Sequence, residues 1–359
     1  KMYAKRLMLK NFRNYKTLDM ELSSHINIFR GKNAQGKTNL LEAIYYCATG
    51  RSYRTALHRD CIRTDAEEAM IKLWYQRYRE DRIEIHLRKN GRKSIAVNGI
   101  TAQKIDELFG QFHVVVFSPE DLSLIKNGPS QRRRFMDMEI CQVDPIYLHN
   151  LQQYCRVLKQ RNQLLKDAFR DPGKTAQIQD WDRQLAYYGL RLKQRRQLFT
   201  DTIRPYTALL HKSISQGTED LAIGYETGQA NTEDEYFDQL QKDLSRDIRQ
   251  GNTAFGPHHD DLSLVINGAD VRSYGSQGQQ RTAALALKLA ELEIMKKETG
   301  EAPVLLLDDV MSELDGDRQE HLLRYIEENQ TLLTCTGIED SLRGLPAGKI
   351  FEIEKGTVL

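Results

Sequence analysis

Few of the marks of an extracellular, membrane-embedded or disordered protein occur in these 359 residues. The five cysteines, at 47, 61, 141, 155 and 335, stand singly with no C-x-x-C pair. Neither a disulfide framework nor a zinc site is expected, and a reducing cytoplasm suits the chain. Long apolar runs are missing too. The longest, such as Val114 to Phe117 and Val304 to Leu307, are far too short to span a bilayer, and no apolar signal region opens the sequence. A protein neither exported nor embedded is expected. Lys1, ahead of Met2, resembles the remnant of a tag and is given no functional meaning. Proline is scarce, at 8 residues, and no segment is low in complexity. With 40% hydrophobic and 28% charged residues the chain reads as soluble and globular. At about 100 to 200 residues per domain, the length suggests two or three domains.

Net charge is only +2, which alone says nothing about nucleic acid, but it is unevenly spread. Lys126 to Lys212 holds 17 Lys and Arg against 8 Asp and Glu, an excess of +9 that leaves −7 for the remainder. The apolar pattern changes along the chain as well. Leu7, Leu9, Ile26 and Ile28 alternate as in strands, a Gly-rich stretch follows, and Leu40, Leu41, Ile44 and Tyr45 resume at helical spacing. Residues 69 to 117 read as several strands, with turns at Lys89-Asn90-Gly91 and Asn98-Gly99. From Leu148 the series Leu151, Cys155, Leu158, Asn162, Leu165 and Phe169 steps by three and four, and Asp171-Pro172-Gly173 stops the helix. Trp181, Leu185, Tyr188, Leu192 and Phe199 form a second series. Two antiparallel helices packed as a hairpin account for both, and so would ordinary bundle helices. After Asn252 come short strands with a turn at Asn267-Gly268, a helix from about Gln279 to Lys297, and a buried strand from Val304 to Leu307.

Three segments carry chemistry. Gly31-Lys32-Asn33-Ala34-Gln35-Gly36-Lys37-Thr38 fits G-x-x-x-x-G-K-[ST] between a strand and a helix. In such a loop backbone N–H groups cradle phosphate, Lys37 reaches the β- and γ-phosphates, and Thr38 offers its hydroxyl to Mg²⁺. The apolar strand Val304 to Leu307 ends in Asp308-Asp309. Asp308 is placed to meet the hydration shell of the metal and Asp309 to polarise the attacking water, although carboxylates there could equally cap the next helix. Gly275-Ser276-Gln277-Gly278-Gln279-Gln280-Arg281 is a second small-residue loop ahead of a helix, and so a second anion site. Two such loops suggest a dimer in which the Ser276 loop of one copy completes the Lys37 site of the other, with ATP between them.

In this order the segments resemble the Walker A, signature, Walker B and D-loop series of ABC-type ATPases, with Ser312-Glu313-Leu314-Asp315 as the D-loop. Within that class the chain is similar to the RecF family. The likeness lies in Leu9-Lys10-Asn11-Phe12-Arg13-Asn14-Tyr15, Gly50-Arg51-Ser52-Tyr53-Arg54-Thr55, Phe117-Ser118-Pro119-Glu120-Asp121-Leu122, Gly256-Pro257-His258 and Ser276 to Arg281. These matches run from residue 9 to 315, nearly the whole chain. The resemblance implies an α/β fold: an ABC-type P-loop ATPase head assembled from both chain ends, with an inserted helical arm lobe. Its expected divisions are 1–125, with a β-rich subregion, 126–250 for the arm, and 251–359. SMC-type relatives carry far longer arms than the roughly 30 Å expected from about 20 residues per helix.

For the site, the resemblance implies Asn14 and Tyr15 near the base with Arg13 beside them. It puts Lys37, Thr38 and Asp308 at phosphate and metal, Ser276, Gly278 and Gln279 in the loop acting in trans, and Glu120 near the γ-phosphate. Lys37, Asp308, Asp309 and Ser276 are the candidate catalytic residues. The implied activity is a weak DNA-dependent ATPase using ATP and Mg²⁺ in the cytoplasm. It would dimerise on ATP, bind double-stranded DNA at gap junctions, and support RecA loading with RecO and RecR. Arg132-Arg133-Arg134, Lys159, Arg161, Arg191, Lys193, Arg195 and Arg196, with Arg51 and Arg54, are the candidate DNA contacts. Three departures stand out. ABC transporters usually have Glu at Asp309, so slow turnover is expected; Thr336 stands near the place of a transporter-type switch His; and His259 replaces a basic residue common in the family. A metal site at His258, His259, Asp260 and Asp261 is disfavoured because neighbouring strand residues face opposite ways. The rivals are a transporter ATPase subunit, a head fused to a nuclease, and a clamp that binds ATP without hydrolysing it.

Overall fold

Fifteen strands and eight α-helices of the computed structural model lie within residues 1–337 and 347–359, the residues the structure describes. The N-terminal part supplies β1 (Tyr3–Phe12), β2 (Tyr15–Glu21), β3 (Ile26–Arg30), α1 (Lys37–Thr49), β4 (Glu68–Gln76), β5 (Glu80–Arg88), β6 (Ser94–Val97), β7 (Ile100–Thr101) and β8 (Val114–Phe117). Then follow α2 (Pro129–Val143), α3 (Pro145–Arg170), α4 (Ile178–Ile214), β9 (Leu221–Glu226), α5 (Glu233–Gln250), β10 (Asp261–Ile266), β11 (Ala269–Asp270) and α6 (Val271–Tyr274). The C-terminal part supplies α7 (Gln277–Thr299), β12 (Val304–Asp308), α8 (Gly316–Glu328), β13 (Thr331–Cys335), β14 (Ala347–Glu354) and β15 (Thr357–Val358). Two compact units result: 1–123 with 210–218 and 281–359, and 124–209 with 219–280.

The apolar segments β3, β8, β12 and β13 form the centre of the sheet that carries the first unit, in the order β15-β14-β3-β13-β12-β8. All neighbours from β14 to β8 are parallel. Strands from both chain ends interleave, as the sequence implied. Every residue of β12 and β13 is buried, which is why they read as continuous apolar runs rather than alternating ones. An antiparallel sheet, β2-β1-β4-β5-β6-β7, follows the alternation of Leu7 and Leu9, both buried. Its β6–β7 hairpin turns at Asn98 and Gly99, both at positive φ, as the Asn-Gly pair predicts. Helix α1 touches strands of both sheets. Residues on nearly every face of it are therefore buried, including the charged Lys37 and Glu42.

In the second unit β9, β10 and β11 form a three-stranded antiparallel sheet. Pairing 221–226 with 261–266 keeps residues up to 280 with the arm helices, whereas a boundary near 250 had been expected. Helices α3 and α4 have 26 and 37 residues, longer than expected, and Pro205 lies inside α4 without ending it. They are not a simple hairpin: α5 packs on α3, with Leu165, Ala168 and Ile178 against Leu244 and Ile248. The buried residues of α3 are Tyr147, Leu148, Asn150, Tyr154, Val157, Arg161, Leu165 and Ala168. Leu148 and Leu165 of the expected seam are buried; at its other positions the buried residue lies one earlier, and Cys155 and Phe169 are exposed.

That buried face centres on a charge. The Arg161 side chain is fully buried; Nε donates to Asp182 at 2.5 Å, and Nη1 donates to Asp247 and to Thr253 Oγ1, each at 2.7 Å. Asp182 also accepts from Gln241 and Asp247 from the Ala254 N–H. A basic residue at a core position is tolerable only because two carboxylates meet it there.

Candidate nucleotide site

Strand β3 ends at Arg30, the chain curls through Gly31 to Gly36, and α1 begins at Lys37. Glycine is required at both ends of the curl. A Cβ on Gly31 would lie 2.3 Å from the Ile353 carbonyl oxygen, and Gly36, at φ +110°, would set one 2.5 Å from the Asn14 amide. Side chains from the β1–β2 turn and the start of β2, and a backbone N–H of the C-terminal hairpin, brace the loop. Asn14 Nδ2 donates to the Gln35 carbonyl at 2.9 Å, Tyr15 OH to the Gly36 carbonyl at 3.1 Å, and the Gly356 N–H to the Gln35 carbonyl at 3.0 Å. Tyr15 is fully buried, so it supports the loop from beneath rather than facing a base. Lys32, Asn33 and Ala34 are exposed at the crest.

Lys37 is 3% exposed; its Nζ donates to the Gly31 carbonyl at 2.6 Å and lies 3.8 Å from Asp309 Oδ1. An ammonium with three protons, so placed, retains donor capacity for an anion entering the loop. Thr38 Oγ1 donates to Asp308 Oδ1 at 2.7 Å, Thr334 Oγ1 donates to the same oxygen at 3.1 Å, and Tyr53 OH donates to Asp308 Oδ2 at 3.0 Å. Burial pushes the Asp308 pKa above the ordinary carboxylate value, against the pull of these hydroxyls. Asp309 sits at φ +51°, an unusual conformation for a non-glycine residue, and its N–H donates to Thr334 Oγ1 at 2.8 Å. Neither aspartate caps a helix. The short turn at Met311–Glu313 has no side-chain cap, and α8 is capped by Asp315.

Lys37, Thr38, Asn14 and Asp309 line one cavity of about 420 Å³, together with Asn39 and Arg54. A neighbouring cavity of about 610 Å³ shares Asn14, Asn39 and Arg54 with it and adds Arg13 and Arg63. Arg54, expected to touch DNA, donates to Asn39 Oδ1 at 2.9 Å and to the buried Glu42 at 3.3 Å. Arg13 makes a two-pronged pair with Glu42, at 2.8 and 2.5 Å. Tyr53, Thr334, Asn39 and Glu42 were not singled out from the sequence. Tyr53 lies in the Gly50 to Thr55 segment that resembles the RecF family, but nothing local marks a tyrosine as the partner of an aspartate 255 residues away.

Ser276, Gly278 and Gln279 belong to the other compact unit, at the start of α7. The Gln279 N–H donates to Ser276 Oγ at 3.2 Å and the Ser276 N–H to Gln279 Oε1 at 2.9 Å, a reciprocal capping box with Ser276 itself exposed.

The basic cluster needs correction. Arg132 is buried, paired with both oxygens of Asp261 at 2.7 Å and donating to the Ile125 and Asn127 carbonyls. Arg196 is buried against Asp137, Tyr147 OH and the Pro257 carbonyl. Arg191 pairs with Glu233, Arg195 with Asp144, Arg133 donates to the Asp260 carbonyl, and Lys193 donates to the carbonyls of Gly228 and Ala230. With Arg161, three arginines of the basic stretch are interior, and carboxylates from within the stretch (Asp137, Asp144, Asp182) and beyond it (Asp247, Asp261) meet the cluster. Arg51, Arg134 and Lys159 are exposed. Burial pushes His258 down to about 4, its Nδ1 bonded with Tyr154 OH and its Nε2 with the Thr253 carbonyl, so the ring is neutral near pH 7. His259 Nε2 reaches the same carbonyl at 3.0 Å. No group of three metal-ligating side chains occurs among the described residues, nor any helix long and apolar enough to cross a membrane.

Residues 3–340 match the family described as RecF/RecN/SMC N terminal domain, so the fold is that of an ABC- and SMC-type ATPase head. The Smc head domain from Pyrococcus furiosus shares this fold at 17% identity and a TM-score of 0.56, covering 100% of this chain and 95% of that one. Much nearer is the DNA replication and repair protein RecF of Lachnoclostridium phytofermentans, 49% identical over 99% of both chains; that of Agathobacter rectalis is 45% identical over the same share. A solved structure of the recombination mediator protein RecF with ATP, in the RecFOR pathway, has a TM-score of 0.93 and 38% identity, covering 100% of this chain and 97% of that one. The chain belongs to the RecF family of DNA replication and repair proteins.

Proposed function

We propose that this protein binds ATP with Mg²⁺ in the cavity beside Lys37, closes on a second copy of itself through the Ser276 loop, and reopens after slow hydrolysis. In the closed state it binds duplex DNA next to single-strand gaps in the cytoplasm and, with RecR and RecO, supports RecA loading. The observation that carries this is the convergence of Lys37, Thr38, Asp308 and Asp309 from opposite ends of the chain.

Mg²⁺ fits the donors present: Thr38 and Asp308 offer only oxygen, and Thr38 keeps lone pairs available while its hydroxyl donates to Asp308. Those two residues would hold the ion, which would offset charge on the triphosphate. Lys37 takes the β- and γ-phosphates. Asp309, which faces Lys37, orients the attacking water; its short side chain suits slow turnover. A transporter subunit is disfavoured by membership of the RecF family and by Thr336 where a switch His would stand.

Ser276→Asp tests the trans assignment. Asp also caps helices, so α7 keeps its N-terminus, yet its charge opposes a triphosphate. Sedimentation should show ATP bound as tightly as by the wild type with no dimer formed. An ATP-dependent dimer in the variant, or lost ATP binding, would remove Ser276 from the interface.

A further inference from the structure

The loop after α1, Gly50 to Thr55, carries a tyrosine with no part in the phosphate contacts. Ser52 Oγ donates to Glu42, which is fully buried on α1, while the N–H groups of Arg54 and Thr55 donate to Ser52 Oγ at 2.9 and 3.1 Å. Arg54 reaches the same Glu42 carboxylate at 3.3 Å. Tyr53 is thus held between two residues fastened to one buried carboxylate, and its ring packs edge-on against Tyr45 of α1, centroids 5.2 Å apart at 82°. So fixed, its hydroxyl meets Asp308 Oδ2 at 3.0 Å, while Thr38 and Thr334 share Oδ1.

We propose that Tyr53 is a positioning residue for the metal: with Thr38 and Thr334 on Oδ1, its bond to Oδ2 stops the Asp308 carboxylate from rotating and holds it in the plane in which it would meet Mg²⁺. The inference rests on the nucleotide reading of the site. A carboxylate at a strand end can turn about its last bond; two hydroxyls on Oδ1 alone leave Oδ2 free to swing, and a third donor on Oδ2 fixes the plane. Outer partners of this kind typically set metal affinity by about 10- to 100-fold. The loop would thereby couple the helix that follows the phosphate loop to the metal carboxylate on β12, through Glu42 on one side and Asp308 on the other.

Tyr53→Phe keeps the ring and removes the hydroxyl. The test is the affinity of the full chain for a fluorescent ATP analogue, measured in EDTA and across a Mg²⁺ titration, with Thr38→Val alongside. The expected result for Tyr53→Phe is unchanged affinity in EDTA, which also shows an intact pocket, and a Mg²⁺ half-saturation raised at least about 10-fold. An unchanged Mg²⁺ requirement in Tyr53→Phe, while Thr38→Val raises it, overturns the role of Tyr53 and leaves the nucleotide site standing. Equal loss in EDTA and Mg²⁺ makes Tyr53 merely structural and also overturns the proposal. No Mg²⁺ effect from Thr38→Val sinks the metal site and this inference with it.

Discussion

Arg161→Met should destabilise the arm unit by about 3–5 kcal/mol near pH 7. Methionine fills the space of the arginine stem, so the loss is chiefly of charge and hydrogen bonds. Asp182 and Asp247, both with fully buried side chains, would be left without their cation. Breaking one buried pair costs about 3–5 kcal/mol. Two are broken here, but the costs do not add, because a stranded carboxyl can take up a proton. Burial already holds the Asp182 pKa above its ordinary value, with Arg161 pulling it down. Without Arg161 it rises further. A carboxyl whose folded pKa lies above its unfolded value favours folding below the unfolded pKa and loses that contribution as pH rises through the folded value. The deficit relative to wild type should therefore shrink from pH 7 to pH 5. Adding Asp182→Asn and Asp247→Asn should recover part of it, because amides can still accept from Gln241 and from the Ala254 N–H. Urea unfolding, with hydrogen exchange in α3 and α5 to separate the two units, measures this. A loss below about 1 kcal/mol, or a deficit that grows as pH falls, would refute the reasoning.

Asp309→Asn retains a residue type that tolerates the left-handed backbone at φ +51° while removing the carboxylate. ATP hydrolysis should fall by about 100-fold or more with nucleotide binding kept, and an equally negligible rate in wild type and variant would withdraw the enzyme assignment. Arg134→Glu with Lys159→Glu changes two exposed residues and should weaken duplex DNA binding and flatten the log–log salt slope by roughly 2. An unchanged slope removes both from the DNA surface. Arg132→Glu serves as the contrast: it strands Asp261 and should unfold the arm, seen by circular dichroism, before any DNA contact is tested.

Some of the site was legible because its determinants are local. Gly31, Gly36, Lys37 and Thr38 lie within eight residues, and the spacing that makes a phosphate loop is visible in them. The pairing of that loop with Asp308-Asp309 rests on the chemistry of an apolar strand that ends in two carboxylates, strengthened by resemblance, since 270 residues separate Thr38 from Asp308. Tyr53 and Thr334 stayed hidden: a tyrosine in a loop and a threonine on an apolar strand have many bland uses. Tyr15 was read as a residue near the base, and its burial makes it a brace for Gly36.

By itself, then, the sequence determined whatever nearest neighbours along the chain control: the Gly-rich turn, the Asn98-Gly99 hairpin, the apolar runs of the parallel strands and the existence of the arm helices. Only the tertiary structure decided which charges face water. Helical periodicity made Asn162 the polar break in α3, yet Arg161 is the buried member, and Arg132 and Arg196 are interior too. Their partners Asp182, Asp247, Asp261 and Asp137 stand 21 to 129 residues away. Burying a guanidinium depends on whether carboxylates converge on it in space, and the local pattern of a sequence does not record that convergence.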